Sequence, residues 1–524
     1  MKYRCLLAPL LFGFSSLSYA ELKLPAIIGD NMVLQQKQAD LIWGWDTPGT
    51  KVKVQWEKQD LEATANAAGR WEVKLQVGEA SAVPSVIRIQ GTSKIEVKNV
   101  LVGEVWMCSG QSNMQWAVKQ SHDAELEIMT AKYPQIRLIS VPNIGSQEPQ
   151  NTFDGSWQEC CPESAPDFSA VGYHYGRILH QALGVPVGLI DNAWGGSSCE
   201  AWIRRDVLEK DPRFKTLVEA NAKAEAANQS PKAKAVYNKL RAEWKSQMTE
   251  AKKAGKPFRQ RAPVSPEDWL KGKQRIANIF NGVLYPTIGY GMKGVIWYQG
   301  ESNSTRAYEY SMLFPLMIKH WRELWQQGDF SFYWVQLADH KPEKTVADEA
   351  VKSDWAELRA AQTMTMDQVK LSGQAVIVDL GEDKDIHPKN KRDVAERLAR
   401  WALAKNYGFD KMPHRSADMK EVKLEGNQAT VTFNTYNAGP LTAFDVDEVK
   451  GFTLCGEDKV WHWATGKIIG EDKVVITSPE VSKPIAVRYA WADNPEVNLY
   501  TADQNLPVTP FRSDNFDWIT KPKE

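Results

Sequence analysis

The chain is sparing with the residues that hold metals and build disulfide frameworks, having eight His and six Cys in 524 positions. No His-Glu-x-x-His, no spaced Cys/His cluster and no phosphate loop occurs, so neither a catalytic metal nor a nucleotide cofactor is implied. Gly289-Tyr290-Gly291-Met292-Lys293-Gly294 has dinucleotide-loop spacing but precedes a strand pattern instead of opening a helix, which argues against that use. Net charge is nearly absent: 64 Lys and Arg against 65 Asp and Glu leave −1. That balance provides no electrostatic footprint for nucleic acid or an acidic membrane surface. Past the first 20 residues no apolar run reaches membrane-spanning length, so no membrane insertion is expected. Internal repeats and low-complexity tracts are missing too.

Residues 1–20 read as a secretory leader, with Lys2 and Arg4 as the charged start, Leu6 to Phe14 the apolar centre and Ser18-Tyr19-Ala20 the cleavage site. The expected address is periplasmic or secreted. Beyond the leader stand Cys108, Cys160, Cys161, Cys199 and Cys455, an odd number that leaves at least one thiol free. A bond between the adjacent Cys160 and Cys161 would be strained, and a chain of this size needs no bridge to hold its core. The 21 Trp are many for this length. Core packing is their first explanation, and stacking on sugar rings the second.

Three patterns follow one another. Over 21–98 short alternating runs (Asp40–Trp45, Lys51–Trp56, Trp71–Val77, Val86–Gln90) are broken by turn residues, which predicts a small β-sandwich. Over 99–411 five apolar runs alternate with helical patterns: Val105–Cys108, Val187–Ile190, Val295–Tyr298, Tyr333–Leu337 and Ala375–Leu380. Helices are expected at Val171–Leu183, Tyr310–Trp325 and Lys391–Asn406. This is α/β grammar, a parallel sheet flanked by helices. Within it, 205–266 is an Ala-, Lys- and Glu-rich insertion, expected as a surface helical hairpin of Asp206–Ala227 and Lys232–Lys253, with a lid over the site as the lesser reading. Over 412–524 short strands return, predicting a second β-sandwich module.

Four apolar runs end in polar, glycine-rich motifs: Ser109–Asn113, Asp191–Ser198, Gln299–Asn303 and Gly381–His387. Ligands of open α/β sheets bind beyond the carboxyl ends of strands, so the four motifs should converge. Ser112, where a strand pattern gives way to a helical one, has a nucleophile's position, beside free amides at a helix start. An ordinary helix cap explains the same residues. A serine nucleophile needs a base and an orienter. His387 precedes Pro388, which biases it toward an extended form, and Asp385 then projects to the same side. The oxyanion formed on attack would take the Ser112 amide, bare backbone from Gly195-Gly196, and a side-chain amide from Gln299 or Asn303.

The run Gly103–Met114 resembles the first block of the sialate O-acetylesterase family within the SGNH hydrolases. Ala193–Ser197, Gly294–Asn303 and Asp385–Pro388 resemble later blocks in the same order, as do Ala486–Pro495 and Pro510–Asp514 near the C-terminus. The resemblance spans nearly all of the chain after the leader. It implies a flavodoxin-like SGNH hydrolase core that removes acetyl groups from sugar hydroxyls with serine and no metal. An O-acetylated carbohydrate would be its partner; no oligomeric state is implied. Carried over by position, Ser112 matches the nucleophile, His387 the base, and Ser112, Gly196 and Gln299 the oxyanion donors, with Asn303 behind Gln299. Many SGNH enzymes carry the acid three residues before the His, where this chain has Lys384; the acid is therefore Asp385 or Asp383, or a backbone carbonyl takes part of its role. Relatives of this name also deacetylate plant hemicelluloses such as xylan and xyloglucan, so the sugar stays open. A non-catalytic carbohydrate-binding protein is the rival from another class.

Overall fold

One strand, Lys94–Gly110, organises the molecule. In the computed structural model, which describes residues 21–258, 260–502 and 506–522, it runs 17 residues from the N-terminal β region into the centre of the main sheet. The expected leader lies outside the described residues. The expected boundary between residues 98 and 99 therefore falls inside a single strand. Its first half pairs antiparallel with Ser81–Gln90 and parallel with Val33–Gln35, and its second half lies between Val187–Asp191 and Gly294–Tyr298, both parallel.

Across the main sheet the strands run Ser372–Ala375, Ser331–Val335, Gly294–Tyr298, Lys94–Gly110, Val187–Asp191, Tyr133–Ser140, all parallel, with Gln158–Cys160 antiparallel at the edge. Numbered along the chain, the six parallel strands run 2-3-1-4-5-6 across the sheet, with Tyr133–Ser140, which the sequence pattern did not reveal, lying beyond Val187–Asp191. The order reverses at Lys94–Gly110, so the crevice beyond Gly110 is the topological switch point.

Alternation divides the core. Val105, Met107, Val295, Trp297, Phe332 and Trp334 point to one face and pack with Leu313, Trp321 and Leu358 of helices Ala307–Trp325 and Asp354–Gln368. Trp106, Cys108, Ile296, Tyr298 and Tyr333 point to the other face, against helices Ala170–Leu183 and Lys391–Asn406. Because both faces are covered, these strands read as unbroken apolar runs. Each of these fully buried large side chains contributes roughly 1.5–3 kcal/mol. Local chemistry sets the helix ends: Ser169 Oγ accepts from Gly172 N at 3.1 Å, and Gly184 closes the same helix at φ +67°. Eight Trp, among them Trp106, Trp202, Trp297 and Trp334, are almost fully buried, so packing accounts for much of the tryptophan excess. The five described cysteines are all unpaired.

Two expectations are corrected. The first insertion helix is broken into Arg205–Lys210, a short turn at Pro212–Phe214, and Lys215–Gln229. Pro212 lacks the amide that would continue the helix, and Asp211 caps the restart by accepting from Arg213 N at 3.1 Å. Its partner, Ala233–Lys253, buries no residue, and Leu240 and Met248 face solvent. The second concerns Ala375–Leu380: the strand stops at Ala375, and Val376 and Val378 insert into the core of the C-terminal module.

That module is an antiparallel seven-stranded sheet with hairpin turns at Gly426-Asn427, Gly456-Glu457-Asp458 and Gly470-Glu471-Asp472. The fully buried Arg359 moors it, donating to Leu337 O at 3.0 Å on the core side and to Ala492 O and Asp493 O at 2.8 and 2.9 Å on the module side. The terminal motif, with its buried Arg488–Asp514 pair at 2.7 Å, is thus a docking element. No helix among the described residues is long and apolar enough to cross a membrane.

Candidate active site

Three strand ends meet at the switch point. Gln111 N donates to Tyr298 O at 2.8 Å and Trp194 N to Gly110 O at 3.0 Å, which binds the serine turn to the two flanking strands. Gly110 sits at φ +131°, where a β-carbon would lie 2.2 Å from Tyr298 O, so only glycine lets the chain turn there. The extended Gln111 then launches helix Ser112–Gln115, whose first amide, that of Ser112, has no intrahelical acceptor.

His387, 275 positions away, arrives on the loop after Ser372–Ala375. Its Nε2 stands 2.9 Å from Ser112 Oγ. Its Nδ1 is 3.3 Å from Asp385 Oδ1, which also accepts from the His387 amide at 3.0 Å. Asp385 is 42% exposed. Asp383 lies 3.8 Å from Lys384 and is more than half exposed, so of the two carboxylates the sequence left open, Asp385 is the one on the imidazole. Trp116 stacks on the ring at 4.7 Å and 16°, a second constraint on its plane.

Beneath the imidazole lies a buried polar network that the sequence did not disclose. Asn113 Oδ1 accepts from Lys391 Nζ at 2.6 Å, while its Nδ2 donates to Glu301 Oε1 at 2.6 Å and to Ile386 O at 3.0 Å. The amide thus uses both ends, and its last bond holds the carbonyl immediately ahead of His387. Lys391 is wholly buried, and burial pulls its ammonium down to about 7, against the opposing field of Glu301. Burial raises Glu301, against its own backbone amide, the Asn113 bond and Lys391. His387 is held below the ordinary imidazole range, first by burial and then by Lys391, with Asp385 pulling the other way.

The Trp194–Ser197 turn faces the serine. A β-carbon on Gly195 would lie 2.9 Å from Gln115 Oε1 and 3.3 Å from Ser112 Cβ, so a side chain there would press on Gln115 and on the serine. Gly195 N donates to Gln115 Oε1 at 2.8 Å. The Gly196 amide, at φ +72°, has no acceptor among the described residues.

Gln299 is placed differently from the expectation. It is fully buried, and both hydrogens of Nε2 are engaged, with Asn303 Oδ1 at 2.8 Å and Ser197 O at 3.2 Å. Asn303 Oδ1 also accepts from Cys199 N at 2.9 Å, and one hydrogen of its Nδ2 goes to Glu200 Oε2 at 3.0 Å. These amides brace the loop behind Ser197, and Gln299 Nε2 keeps no free hydrogen for an oxyanion. Side-chain amides at a strand end give no signal in sequence of which way they point.

A family profile described as carbohydrate esterase, sialic acid-specific acetylesterase matches residues 266–403. The mouse sialate O-acetylesterase is 29% identical over 95% of this chain and 97% of its own length, and the human one 26% identical over 92% and 91%. The crystal structure of a carbohydrate acetylesterase from Xanthomonas citri is 32% identical, with a TM-score of 0.78, over 95% of this chain and 100% of that one.

Proposed function

The chain belongs to the sialate O-acetylesterase family of carbohydrate esterases and is a carboxylic ester hydrolase, and from that premise we propose that it is an exported serine O-acetylesterase acting on sugar acetates. The observation that carries this reading is the 2.9 Å approach of His387 Nε2 to Ser112 Oγ. Ser112 Oγ attacks the acetyl carbonyl as His387 Nε2 takes its proton. Asp385 steadies the imidazolium through Nδ1. The Ser112 and Gly196 amides receive the carbonyl oxygen as it becomes negative, each worth about 3 kcal/mol if aimed at that position. As the tetrahedral adduct collapses, His387 returns the proton to the sugar oxygen. A water deprotonated by His387 then frees acetate from Ser112.

The sugar is the open variable. Acetate release from O-acetylated sialic acid, acetylated xylan and acetylated xyloglucan, compared at equal acetyl concentration, tests the reading. Turnover of the sialate ester supports the family's name for this chain, and preferred turnover of a hemicellulose moves the substrate class. Inactivity on every sugar acetate refutes the proposal. Export is tested by the N-terminus of the mature protein, which should begin near Glu21.

A further inference from the structure

The Gly195–Gly196 peptide is gripped from a side that the mechanism above does not use. Lys273 Nζ donates to Gly195 O. That carbonyl belongs to the same peptide whose N–H is the Gly196 amide. In a planar trans peptide the two groups point in opposite directions, and no cis bond occurs among the described residues. Fixing the carbonyl therefore fixes the direction of the N–H. The ammonium also packs against the turn itself: a β-carbon at Gly196 would come within 2.5 Å of Lys273 Nζ.

Lys273 is half-buried and has no carboxylate within ion-pair reach among the described residues, so its charge falls on the one carbonyl. Burial and the neighbouring Arg261 both pull its ammonium below the ordinary lysine range. Its backbone is held as well. The buried Asn278 donates to Leu270 O at 2.9 Å and Gly272 O at 2.7 Å, and is itself held by Gln147 Nε2 at 2.6 Å. On the other side of the turn, Gln115 of the serine helix holds the Gly195 N–H. The turn is thus anchored at both ends, and the Gly196 N–H is left without an acceptor among the described residues.

We propose that Lys273 is a positioning residue of the oxyanion site, holding the Gly195–Gly196 peptide by its carbonyl so that the Gly196 N–H is oriented and polarised for the developing negative charge. A hydrogen bond from a cation to the carbonyl withdraws charge through the amide and strengthens its N–H as a donor. The effect is largest in the transition state, when the oxyanion carries full charge, so it belongs in kcat and not in ground-state binding. This inference rests on the reading of Gly196 as an oxyanion donor.

The test compares Lys273→Met, Lys273→Gln, Lys273→Arg and Ser112→Ala with the parent on one small acetyl ester, reading kcat and KM separately, plus affinity for a small alkylboronic acid as a tetrahedral mimic. Lys273→Met should lower kcat by about tenfold to a hundredfold with KM within about twofold, and boronate affinity should fall in parallel. Lys273→Arg should recover most of kcat, and Lys273→Gln, which keeps a neutral donor, should fall between. If Lys273→Met fails to fold, as judged by its melting curve, the Gln and Arg variants carry the same comparison. Unchanged kcat, or a raised KM at unchanged kcat, overturns the proposal while Ser112→Ala stays inactive. Retained activity in Ser112→Ala would instead refute the underlying serine reading.

Discussion

Asp385→Ala should slow this enzyme far less than loss of a triad acid ordinarily does. A buried orienting carboxylate is worth about 10⁴-fold in the serine proteases that define the arrangement. Here the carboxylate is 42% exposed and 3.3 Å from Nδ1. At that separation the attraction to a full imidazolium is about 1.3 kcal/mol in water-like surroundings and about 2.5 kcal/mol if the effective dielectric is halved. At about 1.4 kcal/mol per decade this is roughly a tenfold to seventyfold loss in kcat/KM. The ring keeps its plane in the variant because Trp116 still stacks on it and Asn113 still holds the Ile386 carbonyl. The assay is steady-state acetate release across pH with parent, Asp385→Ala and His387→Ala side by side. Asp385 raises the imidazole's proton affinity, so the acid limb of the variant should move to lower pH. A loss beyond about a thousandfold would mean that Asp385 alone orients His387. No loss at all would mean that the 3.3 Å contact does not act in the transition state.

His387 must be neutral to act as base, and it is held below the ordinary range of about 6.5, so the parent's acid limb should lie below that value. Lys391→Met removes a cation that disfavours the imidazolium and should shift the limb upward; an unmoved limb would refute the coupling. Gln299→Ala should cost about 1–3 kcal/mol of stability in urea unfolding, because Asn303 Oδ1 and Ser197 O lose a buried donor. Its kcat should fall less than about tenfold, whereas a hundredfold fall at unchanged stability would make Gln299 an oxyanion donor after all. Gly110→Ala forces a side chain into φ +131° and onto Tyr298 O, and should destabilise by more than about 2 kcal/mol in the same unfolding assay. A neutral substitution there would contradict the close packing of the serine turn.

The strand-end motifs were legible because chemistry and periodicity coincide in them. Apolar runs buried on both faces stop at Ser109, Asp191 and Gln299, where the chain must turn, and the approach of Ser112 to His387 follows from that topology. Helix Lys391–Asn406 matched its pattern to the residue, with Asn390 as its cap. Illegible were contacts that depend on where a long side chain lands. Lys391 opens a helix and reads as a solvated charge, yet it is buried beneath Asn113. Lys273 lies just past a charged insertion and reads the same way, yet it touches the serine turn. Gln299 carried the opposite error, since a polar residue in a glycine-rich motif reads as functional while its donors brace Asn303 and Ser197. The strand Gln59–Thr64, with Asp60, Glu62 and Thr64 exposed, lacked the apolar density that marks a strand in sequence.

The central claim is that Ser112 carries the acetyl group between the two half-reactions, with His387 as its base. Rapid acid quench during turnover of an acetyl ester, followed by peptide mass spectrometry, measures this directly. A single acetyl group should appear on the peptide containing Ser112, vanish in Ser112→Ala and fail to form at a comparable rate in His387→Ala. Acetyl transfer to another side chain, or undiminished acetate release by Ser112→Ala, would contradict the account.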